Sequence, residues 1–160
     1  MKERKELLRR TIRMVDGRVP TVAGVSHASI HTTKELILFA AECGADVVQV
    51  IAAPKPWGAI PTRDETLRYF EELNRFSPLP ILVYNNPRLG VDLAPDVMIE
   101  LSKMDKVQYF KETSRDMSKI ARLIAEIDVA GHAGYFTTIE VLLASLELGD
   151  AQWTAAVLAR

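Results

Sequence analysis

Two side chains with reactive tips stand at the ends of short apolar runs. Tyr84 closes Pro80-Ile-Leu-Val-Tyr84, and Lys111 closes Lys106-Val-Gln-Tyr-Phe-Lys111, 27 residues further on. That interval is one strand-plus-helix unit, so on consecutive strands of a parallel sheet the two reach the same height, about 5 Å apart across the ladder. Simple alternation puts Val107, Tyr109 and Lys111 on one face, opposite Gln108 and Phe110. A lysine among apolar neighbours is disfavoured as an ammonium, and its pKa is expected to fall from about 10.4 toward neutrality. The free amine then attacks a carbonyl, and a phenol beside it moves protons. The residues alone also allow a plainer reading, in which Lys111 simply emerges into solvent at its strand's end.

The elements that must hold these residues alternate along the whole chain. Residues 2–13 are rich in charge, and Leu8, Ile12 and Val15 fall at helical spacing, with a stop at Asp16-Gly17. This predicts an amphipathic helix with a charged wet face, a better reading than a functional basic arm. Strands are expected at Val19–Gly24, Asp46–Ala52, Pro80–Tyr84, Lys106–Lys111, Asp128–Gly131 and Ala151–Ala156. Helices are expected between them: one capped by Thr32 or Thr33 and ending at Gly44, one opened by a Thr62/Glu65 capping box, then Ala94–Met104, Asp116–Ile127 and Thr138–Leu148. The repeat is about 26 residues, the size of one β/α unit. Six such units fit either a doubly wound, flavodoxin-like open parallel sheet or part of an eight-stranded β/α barrel. Periodicity and length favour the open sheet, because a whole barrel needs about 250 residues. A reversal of strand order would mark the open sheet, and sequential order a barrel.

Composition narrows the function classes. The chain has 160 residues, 48% of them hydrophobic and 26% charged, which excludes a disordered or low-complexity protein. A formal net charge of −1 supplies no field for a polyanion, so nucleic acid is not an expected partner. No apolar run approaches the roughly 18 residues that span a bilayer, and no membrane partner is expected. A single cysteine, Cys43, cannot form an internal disulfide; it reads as a small buried residue at a helix end in a reducing, cytoplasmic setting. His27 and His31 lack carboxylate or cysteine companions at metal-ligand spacing and read as loop histidines, and no metal is expected. His132 lies either at the mouth of the site or in a solvated turn. No glycine-rich phosphate loop occurs, and Trp57 and Trp153 form no stacking series.

Taken together, Val-Tyr84-Asn-Asn-Pro87, Gly90-Val-Asp-Leu93 and Phe-Lys111-Glu-Thr-Ser114 resemble the dihydrodipicolinate synthase and N-acetylneuraminate lyase superfamily of pyruvate-linked aldolases. Val19-Pro-Thr-Val-Ala-Gly24 and Gly44-Ala-Asp-Val-Val extend the resemblance in the same order over nearly the whole chain. The resemblance implies a β/α barrel in which Lys111 forms a Schiff base with the keto carbon of pyruvate or a related 2-keto acid and Tyr84 is the proton donor and acceptor. The co-substrate would be an aldehyde or imine, no cofactor would be needed, and the full-length form would be a homotetramer. By family position, Thr154 would make a backbone contact to pyruvate and Arg88 would stand near the carboxylate-binding arginine. A non-catalytic binding or regulatory member of the superfamily is the alternative.

The chain departs from the family pattern in three places. The Thr-Thr-Gly-Glu carboxylate motif is absent. Lys55 and Trp57 stand where a tyrosine relay is expected, and the loop carrying Arg88 is one residue short. Residues 1–160 are therefore expected to form a single incomplete barrel domain of about six units, lacking the first two strands and the C-terminal helices. Such a piece would be poorly active and prone to aggregate, since an unclosed barrel exposes strand edges.

Overall fold

The computed structural model describes residues 1–52, 59–89 and 91–150. Lys55, Trp57, Gly90 and the strand expected at 151–156, with Trp153 and Thr154, lie outside the described residues.

Helix α1 (Lys2–Val15) leads into strand β1 (Val22–Gly24), and α2 (Ile30–Glu42) into β2 (Val47–Ile51). Then follow α3 (Arg63–Phe76), β3 (Ile81–Asn85), α4 (Pro95–Leu101), β4 (Val107–Glu112), α5 (Met117–Leu123), β5 (Gly134–Phe136) and α6 (Leu142–Glu147). Five strands form one parallel sheet in chain order, β1-β2-β3-β4-β5. No reversal of strand order occurs among the described residues. Successive helices from α1 to α5 touch one another in sequence, so they form a single layer. A doubly wound sheet divides its helices between two faces; this arrangement is a sector of a β/α barrel. The flavodoxin-like alternative is thereby set aside.

The core lies between that helical layer and one face of the sheet. Val48, Val50, Ile81, Val83, Phe110 and Tyr135 from the strands are completely buried against Leu36, Ile37, Phe70, Leu73, Met98, Leu101, Ile120 and Leu123 from the helices. Helix α3 shows how local sequence builds this layer. Thr62 accepts from the Glu65 backbone N–H while the Glu65 carboxylate accepts from the Thr62 N–H, and Leu67, Phe70 and Leu73 follow at core-facing spacing. Phe70 also meets the Tyr69 ring edge-on, with centroids 5.3 Å apart. Phe70→Ala is expected to cost about 3–5 kcal/mol, from lost burial plus the cavity left behind. A urea-unfolding midpoint shifted by less than about 1 kcal/mol equivalent would contradict this placement.

Several expected boundaries move. Helix α2 opens at Ile30 with Ser29 as its N-cap, because Thr33 is already inside it; the buried Thr33 hydroxyl instead accepts from the His27 backbone N–H at 3.1 Å. Cys43 is the C-cap of α2 and half-buried, not buried. The strand expected at Asp128–Gly131 does not form. The apolar spacing Ile120, Leu123, Ile124, Ile127 keeps the chain helical through a π-turn at Ile124–Asp128, and Gly131, at φ 74°, then turns it. The fifth strand is Gly134–Phe136 instead. The final helix begins as a short 3₁₀ turn, Ile139–Val141, before α6.

Strand β4 carries the most consequential correction. Val107 pairs with Ile81, but Tyr109, not Gln108, pairs with Leu82. Adjacent residues Ile81 and Leu82 point to opposite faces, so the extra residue at Gln108 puts Val107 on the helix-covered face and Tyr109 and Lys111 on the other. Val107 is accordingly in the core with Phe110, while Lys111 is half-buried on the far side. The simple alternation that grouped Val107 with Lys111 fails at this bulge.

Candidate active site

The bulge delivers Tyr84 and Lys111 to the same rung of the sheet. They are register partners on β3 and β4, and Lys111 Nζ stands 4.7 Å from the centroid of the Tyr84 ring. Lys111 is also the register partner of Phe136 on β5, so its backbone lies between two aromatic residues on neighbouring strands. Phe136 stacks in turn on Tyr109, centroids 6.0 Å apart. The Tyr84 hydroxyl accepts a hydrogen bond from Asn86 Nδ2 at 2.7 Å, which orients the phenol from the first loop residue after its own strand. An amine on an aromatic wall, with a hydrogen-bonded phenol beside it, has the parts for carbonyl addition followed by proton relay.

These groups open on a pocket of about 270 Å³ at the C-terminal ends of β3, β4 and β5, the end at which β/α barrels carry their sites. Arg88 reaches its wall, together with Thr113, Arg115 and Glu140. The structure thus brings Tyr84, Lys111 and Arg88 to one cavity. Arg115 adopts a left-handed backbone, φ 64°, and pairs with Glu140 at 2.5 Å across the mouth. The Glu140 carboxyl is held below its ordinary range by its own backbone N–H, the Thr138 hydroxyl and the Arg115 guanidinium. A larger hollow, about 480 Å³, lies among Arg9, Arg13, Glu42 and Cys43 at the ends of α1 and α2. Those helix ends feed the N-terminal ends of the strands, the face associated with stability instead of chemistry.

The histidines stand apart from this cavity. His27 Nδ1 accepts from the Ser29 backbone N–H at 3.0 Å, as a loop histidine does, and exposed His132 is bonded through its backbone N–H to Ile127. Among the described residues no cluster of three or more His, Cys, Asp or Glu side chains is disposed to hold a metal ion, and no helix is long and apolar enough to cross a membrane.

Sequence reasoning missed the groups on the other face of the same rung. Asn85 follows Tyr84 and Glu112 follows Lys111, and both are completely buried. Asn85 Nδ2 lies 3.0 and 2.9 Å from the two Glu112 oxygens and 2.9 Å from Asp92 Oδ1. Lys119, also buried, donates to Asp92 and to the Leu93 carbonyl and lies 3.5 Å from Glu112 Oε2. The available signal was an acid and an amide, each one residue beyond a reactive residue, in strands otherwise apolar on that face. Phe136 was missed because the fifth strand was expected too early.

Asp92 gives this network a pH signature. Burial pushes its carboxyl up, but the hydrogen bonds from Asn85 and Lys119 outweigh that, and its pKa is lowered from 3.8. A carboxyl lowered in the folded state contributes stability that is present above the unfolded value and lost as pH falls through the folded one. The difference in urea midpoint between wild type and Asp92→Asn is therefore expected to be largest near neutrality and to narrow below about pH 3.8. A difference independent of pH would contradict this.

Known proteins share both the sequence and the fold. The profile of the dihydrodipicolinate synthetase family matches residues 1–152. The 4-hydroxy-tetrahydrodipicolinate synthase of Clostridium perfringens strain SM101 is 30% identical over 152 residues, covering 94% of this chain and 51% of that enzyme. The enzyme of the same name from Methanosphaera stadtmanae is 29% identical over 140 residues, covering 87% and 46%. Among solved structures, the prophage protein YagE from E. coli, of the dihydrodipicolinic acid synthase family and in complex with pyruvate, superposes with a TM-score of 0.87 at 28% identity, over 96% of this chain and 52% of that one. The chain spans about half the length of the curated relatives it matches, and its five parallel strands and their helices correspond to about half of their barrel. On the breadth of the profile match and the agreement of fold, this chain belongs to the dihydrodipicolinate synthetase family.

Proposed function

We propose that the chain carries the lysine and tyrosine of a Schiff-base-forming, class I aldolase or lyase that acts on pyruvate or a related 2-keto acid, with an aldehyde or imine as co-substrate. The supporting observation is the juxtaposition of Lys111 Nζ and the Tyr84 ring, 4.7 Å apart on adjacent strands. The Lys111 amine adds to the keto carbon; loss of one water gives an iminium, and the bond between nitrogen and that carbon is retained. The iminium accepts the electron pair when a bond to the neighbouring carbon breaks or a proton leaves it, giving an enamine. Tyr84 passes protons to and from the adduct, its oxygen oriented by Asn86. In this reading Arg88 faces the keto-acid carboxylate and Thr154 supplies a backbone contact. Pyruvate bound by the relative YagE supports the choice of keto acid.

The test is reductive trapping. Incubation with pyruvate and borohydride is expected to add one reduced pyruvate irreversibly at Lys111, located by peptide mass mapping. An unmodified Lys111 across a panel of 2-keto acids would overturn the proposal and favour a non-catalytic binding member of the family.

A further inference from the structure

The buried groups behind the reactive rung have no part in the chemistry above, yet they are attached to it through the backbone. Tyr84 and Lys111 are register partners, and so are the next residues, Asn85 and Glu112. The first pair points toward the pocket and the second toward the helices. Asn85 joins the strands twice over: its side chain reaches both Glu112 oxygens, and its carbonyl accepts from the Thr113 N–H at 3.1 Å and the Thr113 hydroxyl at 2.9 Å. Glu112 further accepts from the Ser114 N–H at 2.6 Å. The Asn85 oxygen accepts from the Leu93 N–H at 2.9 Å, and Lys119 donates to the Leu93 carbonyl at 2.7 Å. These bonds secure both ends of the loop whose Asn86 orients the Tyr84 hydroxyl.

We propose that Glu112, clamped by Asn85 and balanced by Lys119, is a positioning residue that sets Lys111 against Tyr84. Three observations carry this. Glu112 is a completely buried carboxylate, which is costly to keep unless it is fully bonded, and among the described residues it meets Asn85 at the end of β3, Ser114 just after β4 and Lys119 of α5. The clamp closes the rung immediately after the reactive one, at the ladder's end, where strands otherwise fray. The bulge at Gln108 also interrupts the regular β3–β4 ladder upstream, so the downstream bonds are what hold the phenol and the amine at one height. The inference rests on the proposed roles of Lys111 and Tyr84 for its chemical consequence, but not for its geometric one.

The experiment reads the geometry directly. Lysines are reductively methylated with isotopically labelled formaldehyde, and the Lys111 resonance is assigned by its loss in Lys111→Arg. A nitrogen held over the Tyr84 ring gives this signal an upfield ring-current displacement. Glu112→Met/Lys119→Met removes the clamp while keeping volume and charge balance; Glu112→Asp keeps the charge but withdraws the carboxylate by one methylene. Each folded variant is expected to lose the displacement, and pyruvate trapping at Lys111 is expected to slow on the order of 10²-fold, the cost of misplacing a reacting group by about 1 Å. Tyr84→Phe should then add little in the double-variant background, because the two changes break the same arrangement. A variant that melts cooperatively and retains the displacement overturns the proposal. If wild-type Lys111 forms no adduct, the catalytic reading fails, while the ring-current comparison still decides the positioning role. If the double variant does not fold, Glu112→Asp supplies the deciding comparison.

Discussion

Lys111→Arg is expected to reduce pyruvate trapping to background while leaving the protein folded. Arginine keeps the positive charge and most of the length, so the cation over the Tyr84 ring is retained. What it lacks is a nucleophile, since the guanidinium remains protonated at any pH the protein survives. Without a free amine no imine forms, and every later step is lost with it. The substitution is at a half-buried strand end on the face away from the core, so its effect on stability should stay within about 0.5 kcal/mol. Intact mass after borohydride treatment, set beside a urea melt, separates the two effects. Trapping that persists in Lys111→Arg would mean that another amine carries the adduct. Lys119, the next lysine along the chain, is buried against Asp92, Leu93 and Glu112 on the helix-covered side of the sheet, which argues against it.

The second large effect concerns the phenol. Tyr84→Phe removes one oxygen and leaves the ring, so the aromatic wall beside Lys111 persists while the proton relay is lost. General acid–base groups contribute typically about 10²–10⁴-fold, and a drop in that range is expected in turnover and in the rate of imine formation. Saturation by pyruvate should change much less, because the carboxylate partner proposed here, Arg88, is not altered. Asn86 loses its acceptor at 2.7 Å, a local cost within a solvent-accessible pocket. Stopped-flow or quench measurement of adduct formation across pH is the check. A decrease below about tenfold would assign the proton transfers to another group or to water.

Both effects depend on a rung whose existence could be anticipated but whose construction could not. Apolar runs ending in Tyr84 and Lys111, one β/α unit apart, were enough to place the two residues at equivalent strand ends. The same reading misplaced Val107, because a bulge is a property of two paired strands, and only the pairing of Ile81 with Val107 and Leu82 with Tyr109 reveals it. It also placed the fifth strand too early. Val129 looks strand-like in isolation, but the core-facing series through Ile127 belongs to a helix packed on the sheet, and Val129 is largely exposed. Phe136 then falls beside Lys111, a neighbour that a strand at 128–131 would not have supplied. Glu112 and Asn85 looked like loop residues following the reactive pair. Burial made them the most constrained polar groups in the region.

Residue chemistry and local period are written along the chain, so the sequence by itself determined the alternating α/β pattern, the two candidate catalytic side chains and the family they resemble. Strand order, the β4 register and the Asn85–Glu112 clamp were decided only by the tertiary structure. The physical reason is that each depends on contacts between segments about 27 residues apart. An extra residue in one strand changes which face every later side chain occupies, and the hydrogen bonds of the opposite strand determine where that extra residue goes.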